Sequence, residues 1–143
     1  MGLNRSLSLE CSVVALALGA DDPRREECRL ILASTAHGVE LHACVELVQE
    51  VLFHRMSRSS RRRATQQAGW LVDGLILHEL SVDVLRLSIE LTATTQVGGR
   101  DAVHAASALH AGFSEIVSAD RDFDGVPGLT RLRPAEALKT LTR

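Results

Sequence analysis

Aromatic side chains are scarce: 3% of 143 residues, with one Trp, three Phe and no Tyr. A core without rings must be filled by Leu, Val, Ile and Ala, which suits helices packed closely on a sheet. Cysteine is also sparse. Cys11, Cys28 and Cys44 are odd in number and form no C-x-x-C, which argues against a disulfide framework or zinc knuckle and fits a reducing cytoplasm. Proline occurs only at 23, 127 and 134, so the middle of the chain is free to run as helix. The net charge is only -2, with a pI near 6.3. That is not the balance of a protein that coats nucleic acid, and any such attraction must come from a local patch. Residues 13–18 are the apolar run nearest the start, too short for a membrane span, and Glu10 interrupts the approach that a signal peptide needs. There is no H-E-x-x-H, no phosphate loop ending in G-K-[ST] and no G-x-S-x-G. Zincin, P-loop and serine-hydrolase chemistry therefore lack their residues.

What is present is a 45% hydrophobic chain of single-domain length, without repeats or low-complexity linkers, so residues 1–143 are expected to form one domain. Residues 7–16 read as a mostly apolar strand of the kind buried in a parallel sheet. Asp21, Asp22 and Pro23 then start a helix. Residues 39–42 form a candidate second strand. Residues 44–56 carry a helical stripe of Leu47, Val48, Val51 and Leu52. Residues 57–63 read as a polar basic connection, followed by a helix through Trp70 to about 75. Residues 77–82 are a third candidate strand and 84–91 a further helix. Gly98 and Gly99 precede an Ala-rich helix over 101–111 that Gly112 stops. A short strand at 115–118, an acidic turn at 120–127, a strand at 129–132 and a helix at 134–141 close the chain. Strands alternating with helices predict a three-layer α/β/α sandwich around a mostly parallel sheet, whose sites lie at the carboxyl ends of the strands.

Carboxylates sit beside several of these elements. Glu10 falls within the first predicted strand, Glu50 on the helix of residues 44–56, Asp101 at the head of the Ala-rich helix and Asp120 after the 115–118 strand, with Asp122 and Asp124 behind it. Hard divalent cations take such oxygen ligands, and carboxylates held close together need a cation between them. Each acid also has a plainer explanation. Glu10 suits a strand edge facing water, Asp101 an acidic first turn complementing the helix dipole, and Asp120, Asp122 and Asp124 an ordinary turn. At about 100° per residue, Glu50 borders the apolar stripe whereas Glu46 points away toward solvent. His104, one turn after Asp101, is placed to lie near such a site, although a packed or surface histidine is the plainer reading.

The C-terminal third is more specific. Gly99-Arg-Asp-Ala-Val-His-Ala-Ala-Ser-Ala-Leu-His-Ala-Gly-Phe, followed by Ile116-Val-Ser-Ala-Asp-Arg-Asp-Phe-Asp-Gly, resembles the end of PIN-domain proteins, most of all the VapC-type toxins of bacterial toxin–antitoxin pairs. Asp101, Ser118 and Asp120 match the family's Asp opening an Ala-rich helix and its Ser/Thr-x-Asp unit. The stretch from Val45 to Arg55 resembles the helix bearing the family's metal-associated Glu, which places Glu50 there. The first strand departs from the pattern: Glu10-Cys11-Ser12 stands where Asp-x-Asn is usual.

The resemblance implies a metal-dependent endoribonuclease. Mg²⁺ or Mn²⁺ would be held by Glu10, Asp101 and Asp120, with Glu50 as a further catalytic carboxylate and Ser12, Ser118 and Asp122 as site support. It also implies an RNA substrate, a cognate antitoxin, a homodimer and a cytoplasmic location without a membrane. The basic stretch of Arg55, Arg58, Arg61, Arg62 and Arg63 is the local candidate for RNA phosphate contacts, with Arg58, Arg61, Arg62 and Arg63 as the contacting residues, and a solvated helix junction accounts for it equally well. Three other readings stay open. One is a catalytically weak or inert PIN domain, limited by Glu10 and Ser12, that binds RNA or antitoxin. Another is a receiver-like signalling domain, for which Asp83 and Lys139 would have to serve as phosphoacceptor and partner. The third is a non-enzymatic helical interaction domain, in which all the acids are surface residues.

Overall fold

Alternating apolar and turn segments become short strands and longer helices in the computed structural model, which describes residues 5–19 and 21–142. Strands β1 (Ser6–Ser8), β2 (Glu40–Cys44) and β3 (Ile76–His78) form a parallel sheet with Leu7 opposite Leu41 and His42 opposite Ile76. Strands β4 (Glu115–Val117) and β5 (Thr130–Leu132) form a second parallel pair. One parallel bridge, Leu9 to Val117, joins the two, backed by the Glu10 N–H donating to the Val117 carbonyl at 3.1 Å. The spatial order is then β3-β2-β1-β4-β5, and the direction of progress reverses between β1 and β4. In an open parallel sheet the crevice at that reversal, outside the carboxyl ends of the strands, is the natural binding place.

The helices are α1 (Cys11–Leu18), α2 (Arg25–Ala33), α3 (Val45–Arg58), α4 (Arg61–Gly74), α5 (Val82–Thr94), α6 (Gly99–His110) and α7 (Pro134–Leu141), with 3₁₀ turns at Ser34–His37 and Arg121–Gly125. They cover both faces of the sheet. Successive side chains of a strand point to opposite faces, and in β4 Val117 enters a core with Leu9, Val13, Ile31, Leu47 and Val51, while Ile116 enters one with Val84, Ala102, Ala105 and Phe123. The expected three layers follow. The cores are aliphatic as the composition requires, with Phe123 as the fully buried ring.

The main correction concerns residues 7–16. The strand ends at Ser8, and helix α1 begins at Cys11. Glu10 is therefore the N-cap of α1, its carboxylate accepting from the Ser12 backbone N–H. Val13 and Val14 are poor helix formers, but both are fully buried. Packing decides their conformation, and a short apolar run does not reveal its period. The predicted basic connection at 57–63 is mostly helical as well: Arg58 ends α3, Ser60 caps α4 by accepting from the Arg63 N–H at 3.1 Å, and Arg61 to Arg63 form the first turn of α4. The third strand is shorter than predicted and α5 longer at both ends. Asp83 lies in the first turn of α5 instead of ending a strand, which removes the basis of the receiver-like reading. At the end of α6 the Gly112 and Phe113 N–H groups bond back to Leu109 and Ala108 at 3.0 and 2.9 Å. Gly112 takes φ 92°, the left-handed closure that glycine permits. Among the described residues no helix is long and apolar enough to cross a membrane.

Candidate metal centre

The carboxyl ends of β1 and β4 carry Glu10 and the Ser118–Asp120 segment to the reversal point, and the first turn of α6 presents Asp101 from the neighbouring layer. Three carboxylates come together: one oxygen each from Asp101, Asp120 and Asp122 lie within 4.8 Å of one another. The turn reading of Asp120 is also realised, since it accepts from the Asp122 N–H at 2.9 Å. The same geometry that shapes the 3₁₀ turn delivers Asp122 to the cluster. Asp124 leaves it and pairs with Arg131 at 2.7 Å.

Electrostatics separates the two readings of Asp101. A helix dipole alone would lower its pKa. Instead burial, with the charges of Asp120, Glu10 and Asp122 behind it, pushes the carboxyl from 3.8 up to about 6. A half-buried carboxylate among other carboxylates is what a cation relieves. Oxygen ligands without thiolate or imidazole favour a hard divalent ion over zinc or copper. The residues present therefore fit a divalent metal.

Glu10 lies deeper than these three and is only 4% exposed. Its carboxylate accepts from the Ser12 N–H and from the Ser118 hydroxyl, the latter at 2.7 Å. Burial raises its pKa against those hydrogen bonds. Ser12 and Ser118 continue the network: the Ala119 N–H donates to Ser12 Oγ and the Asp120 N–H to Ser118 Oγ, both at 2.9 Å. Glu10 is thus outside the three-carboxylate group but bonded to the strand end that supports it.

Glu50 occupies the flank. Its Oε1 lies 3.0 Å from His104 Nε2 and 3.8 Å from Arg100. Burial works to raise its pKa, but the His104 hydrogen bond and charge, Arg100 and the Cys11 thiol together hold the carboxyl below its ordinary value. Glu50 is the inward acid of α3, as the helical-face argument expects. Glu46, expected on the solvated face, is half-buried. His104 is packed, being 3% exposed, and its place one turn after Asp101 brings it into the site, where it is bonded to Glu50. The pairing itself, across 54 positions, has no signal in the sequence. The basic residues divide. Arg58 lines a cleft that reaches Ser12 and Asp120, whereas Arg62 and Arg63 line a separate groove of about 320 Å³ with Trp70. Arg61 is exposed and touches neither.

The PIN domain family model matches residues 11–129. Ribonuclease VapC13 of Mycobacterium tuberculosis is 30% identical over 128 residues, covering 87% of this chain and 97% of the relative. The fold of VapBC2 from Rickettsia felis, solved with a promoter DNA fragment, superposes with a TM-score of 0.72 at 13% identity, covering 90% of this chain and 98% of that one. Mycobacterium tuberculosis VapC20, described as a sarcin–ricin loop cleaving toxin, gives 0.70 at 17% identity, covering 82% of this chain and 92% of that one. With a family model spanning most of the sequence and a VapC relative at this identity and coverage, the chain belongs to the PIN-domain family, among its VapC-type members.

Proposed function

We propose that this chain is a metal-dependent endoribonuclease, a single-domain cytoplasmic toxin of a toxin–antitoxin pair that cuts RNA phosphodiester bonds. The observation that carries the reading is the Asp101–Asp120–Asp122 group at the sheet's reversal point, with Asp101 raised to about 6 by burial and then by its acidic neighbours. The VapC relative is named a ribonuclease, which supports the substrate class. A cognate antitoxin and a homodimer accompany the same reading by family likeness.

In this mechanism Asp101, Asp120 and Asp122 would hold Mg²⁺ or Mn²⁺, with Glu50 as the adjoining catalytic carboxylate. A divalent ion bound there would lower the pKa of water and neutralise charge on the phosphate. Ser118 fixes the Asp120 backbone, and Ser12 fixes that of Ala119. His104 and Arg100 keep Glu50 ionised and oriented. Glu10 acts as a buried carboxylate that closes the β1–β4 junction and adds negative potential to the cluster. Its engagement with Ser12 and Ser118 favours a second reading, a slow PIN nuclease, because a displaced ligand oxygen of about 1 Å can cost roughly a hundredfold in rate.

Arg61 to Arg63 stand in the first turn of a helix, where the dipole is already positive. They and Arg58, which lies apart from them on the cleft toward Asp120, supply the local positive charge for RNA phosphates that the overall charge does not provide. The test is cleavage of structured RNA by the purified chain in EDTA and in Mn²⁺ or Mg²⁺, with Asp101→Asn beside it. Metal-dependent cutting that the substitution abolishes is the expected result. Intact RNA under every condition, with Mn²⁺ still raising the melting temperature, would establish the inert alternative.

A further inference from the structure

A cleft of about 480 Å³ opens beside the carboxylate group and shares Ser12 and Asp120 with it. One wall is apolar, formed by α1 at Ala15 and Leu16, and the opposite wall is α3, with His54 and Arg58 one turn apart. Apart from Asp120, which belongs to the carboxylate group at one end, the charges around the cleft are paired except at Arg58. Asp21 pairs with Arg25 at 3.1 Å and Asp22 with Arg24 at 3.0 Å. Among the described residues no carboxylate lies within ion-pair distance of Arg58, whose printed hydrogen bond is a long one of 3.4 Å to Ser57 Oγ. His54 is half-buried, and its Nδ1 is shut off from solvent without a partner. Burial, with Arg58 and Arg55 nearby, lowers its pKa, which favours the neutral ring. A neutral imidazole offers one donor, one acceptor and a flat face.

An anion alone would use Arg58 and leave the apolar wall and the ring without a partner. A flat heterocycle alone would leave Arg58 idle. The cleft's volume falls in the range of small-ligand sites, about 300–1,000 Å³. We propose that this cleft is a nucleotide subsite that takes the nucleotide adjoining the scissile phosphate, with Arg58 on a phosphate and His54 and Leu16 against the base and ribose. The proposal rests on the nuclease reading above, since it takes the RNA that the carboxylate group would cut.

The test needs no metal. The labelled full chain is titrated in EDTA with each of the four nucleoside 5′-monophosphates and with inorganic phosphate, and the His54 ring and Leu16 methyl resonances are followed by NMR. At least one nucleotide should shift both sets saturably. Arg58→Gln, an exposed position, should weaken that binding about tenfold, the loss of one charge-assisted contact. His54→Gln should change the preference among the four bases. Identical shifts from inorganic phosphate at the same concentration would reduce the cleft to an anion site and overturn the proposal. So would nucleotide shifts confined to the surroundings of Asp101, or none at all. Metal-dependent cleavage without nucleotide shifts would sink the subsite alone, and nucleotide shifts without any cleavage would sink the nuclease reading alone.

Discussion

Replacing Asp101 by asparagine should stabilise the metal-free protein at neutral pH. Asp101 has a folded-state pKa of about 6 against 3.8 in the unfolded chain, through burial first and then Asp120, Glu10 and Asp122. The folded chain therefore binds more protons than the unfolded one between those values. Stability is undiminished below the lower pKa, falls as pH rises through the window and levels off above about 6. A shift of two units corresponds to about 3 kcal/mol unscreened. Asp101 is only half-buried, so solvent screening reduces this to about 1–2 kcal/mol. The α6 dipole opposes the change by roughly 0.5 kcal/mol, which does not reverse it. Asparagine keeps the shape and removes the charge. Urea unfolding in EDTA should find the variant more stable by about 1 kcal/mol above neutrality, or roughly 3 °C in Tm for a chain of this size. The gap should close only below the lower pKa of 3.8, near about pH 3, where Asp101 is protonated in the folded and the unfolded chain alike. Glu10, whose pKa is also raised by burial, is present in both proteins, so the difference curve isolates Asp101. Saturating Mn²⁺ should invert the order, with the wild type gaining about 2.7 kcal/mol at a hundredfold excess over Kd and the variant far less. A variant that is less stable than wild type in EDTA above neutrality, or a gap that persists in acid, would refute the repulsion.

Three further outcomes follow from the same geometry. Ser118→Ala removes the hydroxyl that donates to Glu10 and accepts from the Asp120 N–H; two buried groups lose a partner, and unfolding should show a loss of about 1–3 kcal/mol, whereas a loss under about 0.5 kcal/mol would count against the network. Glu50→Ala strips His104 Nε2 of its partner while its Nδ1 already has none; a fall of about 1–3 kcal/mol in unfolding free energy is expected, and Glu50→Gln, which can still hydrogen-bond, should recover much of it. Burial, Glu50 and Glu10 push the Cys11 thiol up to about 12, so iodoacetamide near neutral pH should label it only after unfolding, and prompt labelling of the native protein would contradict this environment.

Much of this was legible because it is local. The stripe of Leu47, Val48 and Val51 fixes the face of α3 and singles out Glu50 as the inward acid. Gly112 ends α6 in a way only its neighbours need to support. The aliphatic composition implies the two-sided packing found around β4. What was not legible depends on partners distant in sequence. Helix α1 exists because Glu10 caps it and because Val13 and Val14 find a core, and a run of apolar residues carries no record of either. Asp122 joins Asp101 only because the Asp120 turn folds it back. His104 and Glu50 are 54 positions apart. Arg58 parts from Arg62 and Arg63 because a two-residue break redirects the helix axis, which adjacency along the chain conceals.

The junction of β1 and β4 explains why the site depends on side chains that touch no substrate in this scheme. A continuous ladder would hold the two strands through several backbone hydrogen bonds. Here one bridge at Leu9 and Val117 does so, while nearer the start of the strands a cleft of about 170 Å³ lies among Ser6, Leu7, Glu115 and Val117. The strands therefore meet only at the end where the acids stand. Backbone pairing brings Glu10 and Ser118 within reach, and the hydroxyl of Ser118 then locks the carboxylate of Glu10 to the segment that carries Asp120. A glutamate suits that task better than an aspartate: its extra methylene lets one carboxylate cap α1 through Ser12 and reach Ser118 at the same time. The unusual Glu10-x-Ser12 pair is thus a matched set, with Ser12 bonding the Ala119 N–H across the same junction. Restoring only the commoner acid would break one half of it.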